Sequence, residues 1–307
     1  MPTYILAGGN GFLGRQLACA LDRADHQVIV LTRCPAKWKG PGKALAWDGR
    51  TLAPWQDALR NADGIVNLTG KNIACRPTQA NMAEIISSRV DSVRVLRDAV
   101  ESLERSGGHP PPVWVQFSAV GWYGDRGDRI CTEEMPAGTG FLADICRLWE
   151  GALNPAPPWR QVILRPGMVV GADGGAMPFI ARTTRLGLGG SAGCGRQSFP
   201  WIHVDDMVRM TAEALANSSW KGPYNACTPE PPTHAEFMRA TRRHFGRPWA
   251  PPLPAMALRM ACWAIGSNAD LVLTSCRARP ARAEAAGFHF KYPDLPAALA
   301  ETYPAAR

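Results

Sequence analysis

Seven residues near the amino terminus, Gly8-Gly9-Asn10-Gly11-Phe12-Leu13-Gly14, place a glycine at every third position from Gly8. Between a strand and a helix that spacing has a mechanical use. One glycine makes the tight turn, the next lets the backbone approach a pyrophosphate, and the last lets helix and strand pack closely. The N–H groups left at the helix start then face phosphate oxygens. Gly8, Gly9, Asn10, Gly11, Phe12, Leu13 and Gly14 are therefore candidate contacts for a dinucleotide. About 20 residues past the glycines, Thr32-Arg33 closes a second apolar run. An acid at such a strand end suits the ribose 2′-hydroxyl of NAD, whereas an arginine there meets a 2′-phosphate. A charge-assisted bond of this kind contributes roughly 1.5–3 kcal/mol, on the order of 10- to 150-fold in preference. The expected cofactor is NADP(H). The competing explanations are an ordinary glycine-rich turn and a solvated arginine at a strand end.

These residues need a scaffold that brings them to one edge. Short runs rich in Val and Ile lie at Tyr4–Ala7, Val28–Leu31, Gly64–Leu68, Val113–Phe117 and Val162–Leu164. None alternates strictly, as expected of strands buried on both faces. Gly11–Ala24, Ala80–Leu103 and Thr139–Ala152 are long enough for crossover helices. Strand–helix–strand repetition predicts an α/β fold: a Rossmann-type doubly wound parallel sheet with a smaller C-terminal substrate domain. Right-handed connections put every strand's carboxyl end on one rim, where ligands bind. After residue 170 the texture changes. Gly171–Gly195 is glycine-rich and reads as a loop over that rim, and Asp205 or Asp206 reads as the N-cap of a helix running to Leu215. Residues 228–307 carry short helical patterns rich in Pro and Arg. The expected division is 1–170 plus about 200–227 for the cofactor domain, with about 171–199 and 228–307 for the smaller domain.

Bulk composition narrows the function classes. The 307 residues are 46% hydrophobic, enough for a large core, and carry a formal charge of +8. The positive residues are scattered, with no run of five or six, and only six are Lys. A nucleic-acid partner is therefore not expected; a dispersed basic surface suits a phosphorylated small molecule. Nine cysteines with no C-x-x-C pair argue against structural zinc and for a reducing compartment. Cys19, Cys34 and Cys227 sit in apolar stretches and read as small core residues. No signal peptide precedes Thr3, and the longest apolar stretch, Ala255–Ile265, is too short to span a bilayer. The reading is a cytoplasmic protein with no membrane partner and no metal, compatible with a homodimer.

Taken together, Gly8–Gly14, Val66-Asn67-Leu68-Thr69-Gly70, Ser118-Ala-Val-Gly-Trp-Tyr123-Gly124 and Trp201-Ile-His-Val-Asp-Asp206 resemble the extended, or atypical, short-chain dehydrogenase/reductase superfamily. Within it the chain is most similar to the epimerase family that carries a small C-terminal domain of unknown function. Distinguishing pieces are Asn67–Ile73, Ser88-Arg89-Val90, Phe141–Glu150, Gly174–Ala176, Leu186–Gly190, Gly195–Gln197 and Pro200–His203. The resemblance runs from residue 3 to about 300. It implies a dinucleotide over Gly8–Gly14, with Arg33 at the 2′-phosphate. It also implies that Leu68 and Thr69, ending the fourth strand, line the adenosine and ribose side. Arg76 falls where the family places an arginine near the cofactor. Lys71 stands where relatives usually carry Glu, a charge reversal beside the site. Pro166-Gly167-Met168, after the sixth strand, would flank the nicotinamide.

Active members of that superfamily carry Tyr-x-x-x-Lys on a helix, the spacing that puts both side chains on one face. A Ser or Thr on the preceding strand polarises the substrate oxygen, a role Ser118 can fill. No Tyr-x-x-x-Lys occurs in this chain. Anchored on Glu150, the helix places Leu142 at the tyrosine position and Cys146 at the lysine position, and leucine transfers no proton. Tyr123 could supply a phenol or simply pack a loop. Cys146 could be a thiol nucleophile but reads better as a packed cysteine, and Asp144 as solvated. His203, in an apolar strand, reads better as a hydrogen-bonded structural residue than as a base or metal ligand. Two functions stay open. One is an NADP-dependent oxidoreductase or epimerase with Ser118 and Tyr123 as its catalytic candidates; the other is a catalytically silent NADP-binding sensor or regulatory protein.

Overall fold

The computed structural model describes residues 1–153 and 159–304. Seven parallel strands form one sheet: β1 (Thr3–Ala7), β2 (Gln27–Thr32), β3 (Lys43–Ala46), β4 (Gly64–Asn67), β5 (Val113–Phe117), β7 (Arg160–Pro166) and β10 (Gly222–Ala226), in the order β10-β7-β5-β4-β1-β2-β3. The chain winds outward from β1 through β2 to β3, then returns to the other side of β1 and winds outward again from β4. The order reverses between β1 and β4, where Leu6 pairs with both Val30 and Val66. In such a sheet the crevice outside the carboxyl ends of the two strands at the reversal is the ligand site.

Burial on both faces explains the strand sequences. Ile5, Leu6, Val30, Val66, Val115, Val162 and Leu164 are all enclosed, under α1 (Phe12–Arg23) and α5 (Val204–Ala216), which pack together, and under the paired helices α2 (Gln79–Arg105) and α3 (Phe141–Gly151). The five expected strands are present. β3 and β10 were not expected; both lie at sheet edges, where Pro223 of β10 is tolerated because the ladder is paired on one side only.

The remaining chain builds short elements around this sheet: β6 (Ile130–Cys131) with β11 (Arg277–Ala278), β8 (Met168–Val170) with β9 (Trp201–His203), and helices α4 (Met177–Arg185), α6 (His234–His244), α7 (Ala255–Ile265), α8 (Asp270–Leu273), α9 (Ala281–Ala285) and α10 (Leu295–Thr302). A second apolar cluster, with Val170, Met177, Phe199, Trp201, Phe237 and Leu299, lies apart from the main core.

Four expectations need correction. The glycine-rich stretch is not all loop, because it contains α4, with Pro178 tolerated in the first helical turn. The N-cap of α5 is His203, whose Nδ1 accepts from the Asp205 N–H at 3.2 Å. Asp206 is instead buried and accepts from the N–H groups of Lys291 and Tyr292, both at 2.8 Å, docking the C-terminal segment. Cys34 is exposed and Cys19 half-buried; of the three cysteines assigned to the core, Cys227 is buried. Among the described residues no helix is long and apolar enough to cross a membrane.

The segment before β9 is fastened by His234. Its Nδ1 accepts from the Ala192 N–H at 3.1 Å, and its ring meets Phe199 edge-on. Burial lowers its pKa from 6.5 to about 4. Between those values the unfolded chain binds a proton that the folded chain excludes. This contribution is therefore complete above pH 6.5 and is lost as pH falls toward 4. Going from pH 7 to pH 5 is expected to cost about 2 kcal/mol through this residue. Urea unfolding at both pH values should show the slope in wild type and its loss in His234→Asn. An equal slope in both proteins would refute the assignment.

Candidate functional site

The glycine turn is shaped by contacts that leave no room for side chains. Gly8 has a φ of 74°, and a Cβ there would lie 2.9 Å from Thr69 Oγ1, across the reversal between β1 and β4. A Cβ on Gly14 would sit 2.3 Å from the Gly9 carbonyl oxygen, so α1 can approach the turn only without one. A Cβ on Gly11 would meet nothing nearer than 3.6 Å. Gly11 is thus the glycine with open space before it, where a phosphate can come close. The first intrahelical bond of α1 runs from the Arg15 N–H to the Gly11 carbonyl. The N–H groups of Phe12, Leu13 and Gly14 precede it, and no side chain caps the helix or puts an acid in its first turn. Asn10 is held by Arg15, which donates to its carbonyl and to its Oδ1. The Phe12 ring lies against Gly171 and Gly174, so it fixes the turn to the loop after β8.

Beside this cradle, Thr32 is buried and Arg33 is exposed, with no hydrogen bond or ion pair among the described residues. Leu68 and Thr69 follow β4 on the opposite side of β1. The Thr69 N–H donates to Asn67 Oδ1, while its own hydroxyl is buried without a partner. A free cation, an unsatisfied hydroxyl and an uncapped helix start, gathered at the reversal point, fit a dinucleotide. Pro166 ends β7 on the same rim, Gly167 links it to β8, which opens at Met168, and the Gly167 and Met168 N–H groups donate to the carbonyls of Ala226 and Pro200.

Two expected cofactor contacts point elsewhere. The Lys71 ammonium donates to Asn81 Oδ1 at 2.8 Å and pairs with Glu84, so the charge reversal is answered by a neighbouring carboxylate. Arg76 donates to the carbonyls of Trp263 at 2.8 Å and Ala264 at 3.2 Å, closing the carboxyl end of α7. That is a latch between the loop after β4 and the C-terminal region.

Behind the rim lies a buried polar chain. Ser118 donates to Glu150 Oε1 at 2.6 Å. Glu150 accepts from Arg165 Nε at 2.9 Å and Nη2 at 2.8 Å, a bidentate pair that is almost wholly enclosed. Arg165 stacks on Trp122 and donates to the Tyr123 hydroxyl, which donates in turn to Asn225 Oδ1 at 2.7 Å. Tyr123 is fully buried, and burial pushes its pKa up. The phenol is sealed inside the fold, which corrects its candidacy as a catalytic group. Cys146 is likewise enclosed, with its pKa raised to about 11 chiefly by desolvation. Its Sγ donates to the Ala119 carbonyl, so it is a packed thiol and not a nucleophile. Asp144 is solvated and paired with Arg147. His203, capping α5 and contacting Thr302, is structural, and burial lowers its pKa. Among the described residues no three His, Cys, Asp or Glu side chains converge on a metal position.

Arg165 and Asn225 were not among the expected functional residues. The available signal was a charged or amide side chain inside strands of a covered sheet, where such groups are kept only when paired.

Comparison with known proteins agrees with this geometry. The model of the NAD dependent epimerase/dehydratase family matches residues 4–227. The chain belongs to that family. A second model, a domain of unknown function (DUF1731), matches residues 253–302. The epimerase family protein SDR39U1 of Bos taurus is 34% identical over 303 residues, covering 97% of this chain and 98% of its own. A homologue from Mycobacterium leprae, also described as an epimerase family protein, is 36% identical over 299 residues, covering 96% of this chain and 93% of its own. Human SDR39U1, solved with NADPH, superposes with a TM-score of 0.86 at 31% identity, covering 98% of both chains. The Rossmann-like sheet with its C-terminal elements is thus a family architecture, and the Gly8–Gly14 turn lies inside the matched region.

Arg33 gives the site its testable selectivity. Arg33→Ala is expected to weaken NADPH binding by about 10- to 150-fold and to leave NADH binding nearly unchanged. Calorimetric titration of both nucleotides into both proteins measures it. Equal affinity of the wild type for the two nucleotides would remove the assignment.

Proposed function

We propose that this chain is an NADP(H)-dependent oxidoreductase or epimerase of the extended short-chain dehydrogenase type, acting on a small molecule. The observation that carries the reading is the glycine turn at the β1/β4 reversal with an unpaired Arg33 beside it. The NADPH in the human relative supports the same cofactor. In this reading Gly8–Gly14 hold the pyrophosphate and Thr32-Arg33 the 2′-phosphate. Leu68 and Thr69 line the ribose side, and Pro166–Met168 flank the nicotinamide. When bound, the cofactor supplies or accepts a hydride.

In this reading Ser118, which follows β5 and is 4% exposed, is the group that meets the substrate. Because its proton is committed to Glu150, its free lone pairs accept a hydrogen bond more readily than its O–H donates one. It therefore orients a substrate hydroxyl, and with no Tyr-x-x-x-Lys pair the proton moves through the substrate or water. The smaller domain, about 171–199 with 228–307, would close the rim over the substrate. Its helix α7 offers an exposed stripe of Met256, Met260 and Trp263, held to the rim loop by Arg76.

The same Ser118–Glu150 bond favours a second reading, a silent NADP-binding sensor, since it leaves no residue ready to transfer a proton. NADPH absorbance followed over carbonyl, enone and sugar-nucleotide libraries separates the two. The enzyme reading expects turnover that falls on the order of 10²-fold in Ser118→Ala with NADPH affinity retained. Tight NADPH binding with no turnover in any library would leave the sensor.

A further inference from the structure

A buried cation without a counter-ion stands behind the rim. Arg89 of α2 is 9% exposed, and among the described residues no carboxylate pairs with it. Nη1 donates to the carbonyls of Lys71 at 3.0 Å and Ile85 at 3.1 Å, while Nε is buried with no partner. The guanidinium lies over the Trp149 ring at 4.8 Å. It also lies close to Gly70, where a Cβ would be 2.9 Å from Cζ. Its neighbour Cys146 is a neutral thiol with its pKa raised to about 11, so it supplies no compensating charge.

Burying an uncompensated guanidinium is costly, and such groups are retained where an anion or strong acceptor arrives to meet them. The sheet order fixes which part of a ligand that would be. Arg33 follows β2, on one side of β1. Arg89 touches Gly70, which follows β4 on the other side, and packs against α3, which runs beside Ser118. A dinucleotide crossing the reversal has its phosphorylated adenosine on the first side and its nicotinamide half on the second.

We propose that Arg89 is a cofactor-binding residue for the nicotinamide half, its unused donors meeting ribose oxygens beside Gly70. The assignment rests on the NADP(H) reading above and extends it to a residue outside the glycine turn.

The test titrates NADPH and 2′,5′-ADP, which lacks the nicotinamide half, into wild type, Arg89→Met and Arg89→Lys, with melting of each protein free of ligand. Arg89→Met is expected to lose about 10- to 100-fold in NADPH affinity. It should bind 2′,5′-ADP as the wild type does and melt at an equal or higher temperature, because an unpaired buried charge has been removed. Arg89→Lys should recover part of the NADPH affinity, and it carries the comparison alone should Arg89→Met fail to fold. Unchanged NADPH affinity in a folded variant overturns the proposal. So do equal losses for both ligands together with a lower melting temperature, which would mark Arg89 as a structural clamp. Wild-type binding of 2′,5′-ADP shows separately that the adenosine-side reading stands, and uptake of neither ligand by wild type overturns both.

Discussion

Everything at the site follows from the absence of a β-carbon at three positions. Gly8 touches Thr69 across the strand reversal, Gly14 lets α1 settle on the turn, and Gly11 has open space in front of it. The first two contacts are backbone against backbone or against a short side chain, so the surroundings have little freedom to relax. The helix start is consequently held at a fixed place between β1 and β4, with its unbonded N–H groups concentrated at one point. The strands supply the position, and the glycines convert it into a cradle.

The second constraint is electrostatic. Ser118, Glu150, Arg165, Tyr123 and Asn225 form one chain of hydrogen bonds running from the rim into the contact between β6 and β11. Each member is buried and satisfied by the next, the condition under which a polar network rigidifies a core instead of weakening it. The network joins the parallel sheet to the C-terminal elements, so the geometry at Ser118 depends on residues over a hundred positions away. It also spends the groups that a proton-transfer mechanism would use.

Much of this was legible from sequence because it rests on local rules. Five central strands stood out as short runs of Val and Ile, and the glycine turn stood out by its spacing. What escaped was decided by tertiary context. β10, Gly-Pro-Tyr-Asn-Ala, lacks the Val and Ile of the central strands, and it pairs with β7 at the edge of the sheet. Lys71 and Arg76 had suitable types and positions, yet their partners lie in α2 and α7, at distances along the chain that no spacing rule reaches. Tyr123 sat at a plausible offset from Ser118, but burial is a property of the assembled network. Glu150 served as an alignment anchor in the sequence, and the structure gives the physical reason it is there: it binds Ser118 and Arg165 together.

The same context explains the charge. A chain of formal charge +8 invites the idea of a polyanionic partner. Most of the excess is arginine, and the structure shows what many of those arginines hold. Arg160 donates to the carbonyls of Ala214, Leu215 and Trp220. Arg282 donates to those of Lys221 and Pro223, Arg126 to those of Tyr123, Pro136 and Ala137, and Arg76 to those of Trp263 and Ala264. Arg242 and Arg247 reach single carbonyls of Gly189 and Arg185. A guanidinium, with five donors in a planar fork, can clamp two or three carbonyls of a loop or helix end at once; an ammonium has neither the reach nor the geometry. Part of the basic charge is therefore spent as internal fastening. Outside that pattern, Arg33 stands exposed beside the glycine turn with its charge felt by Glu84, and Arg89, on the other side of β1, leaves most of its donors unused.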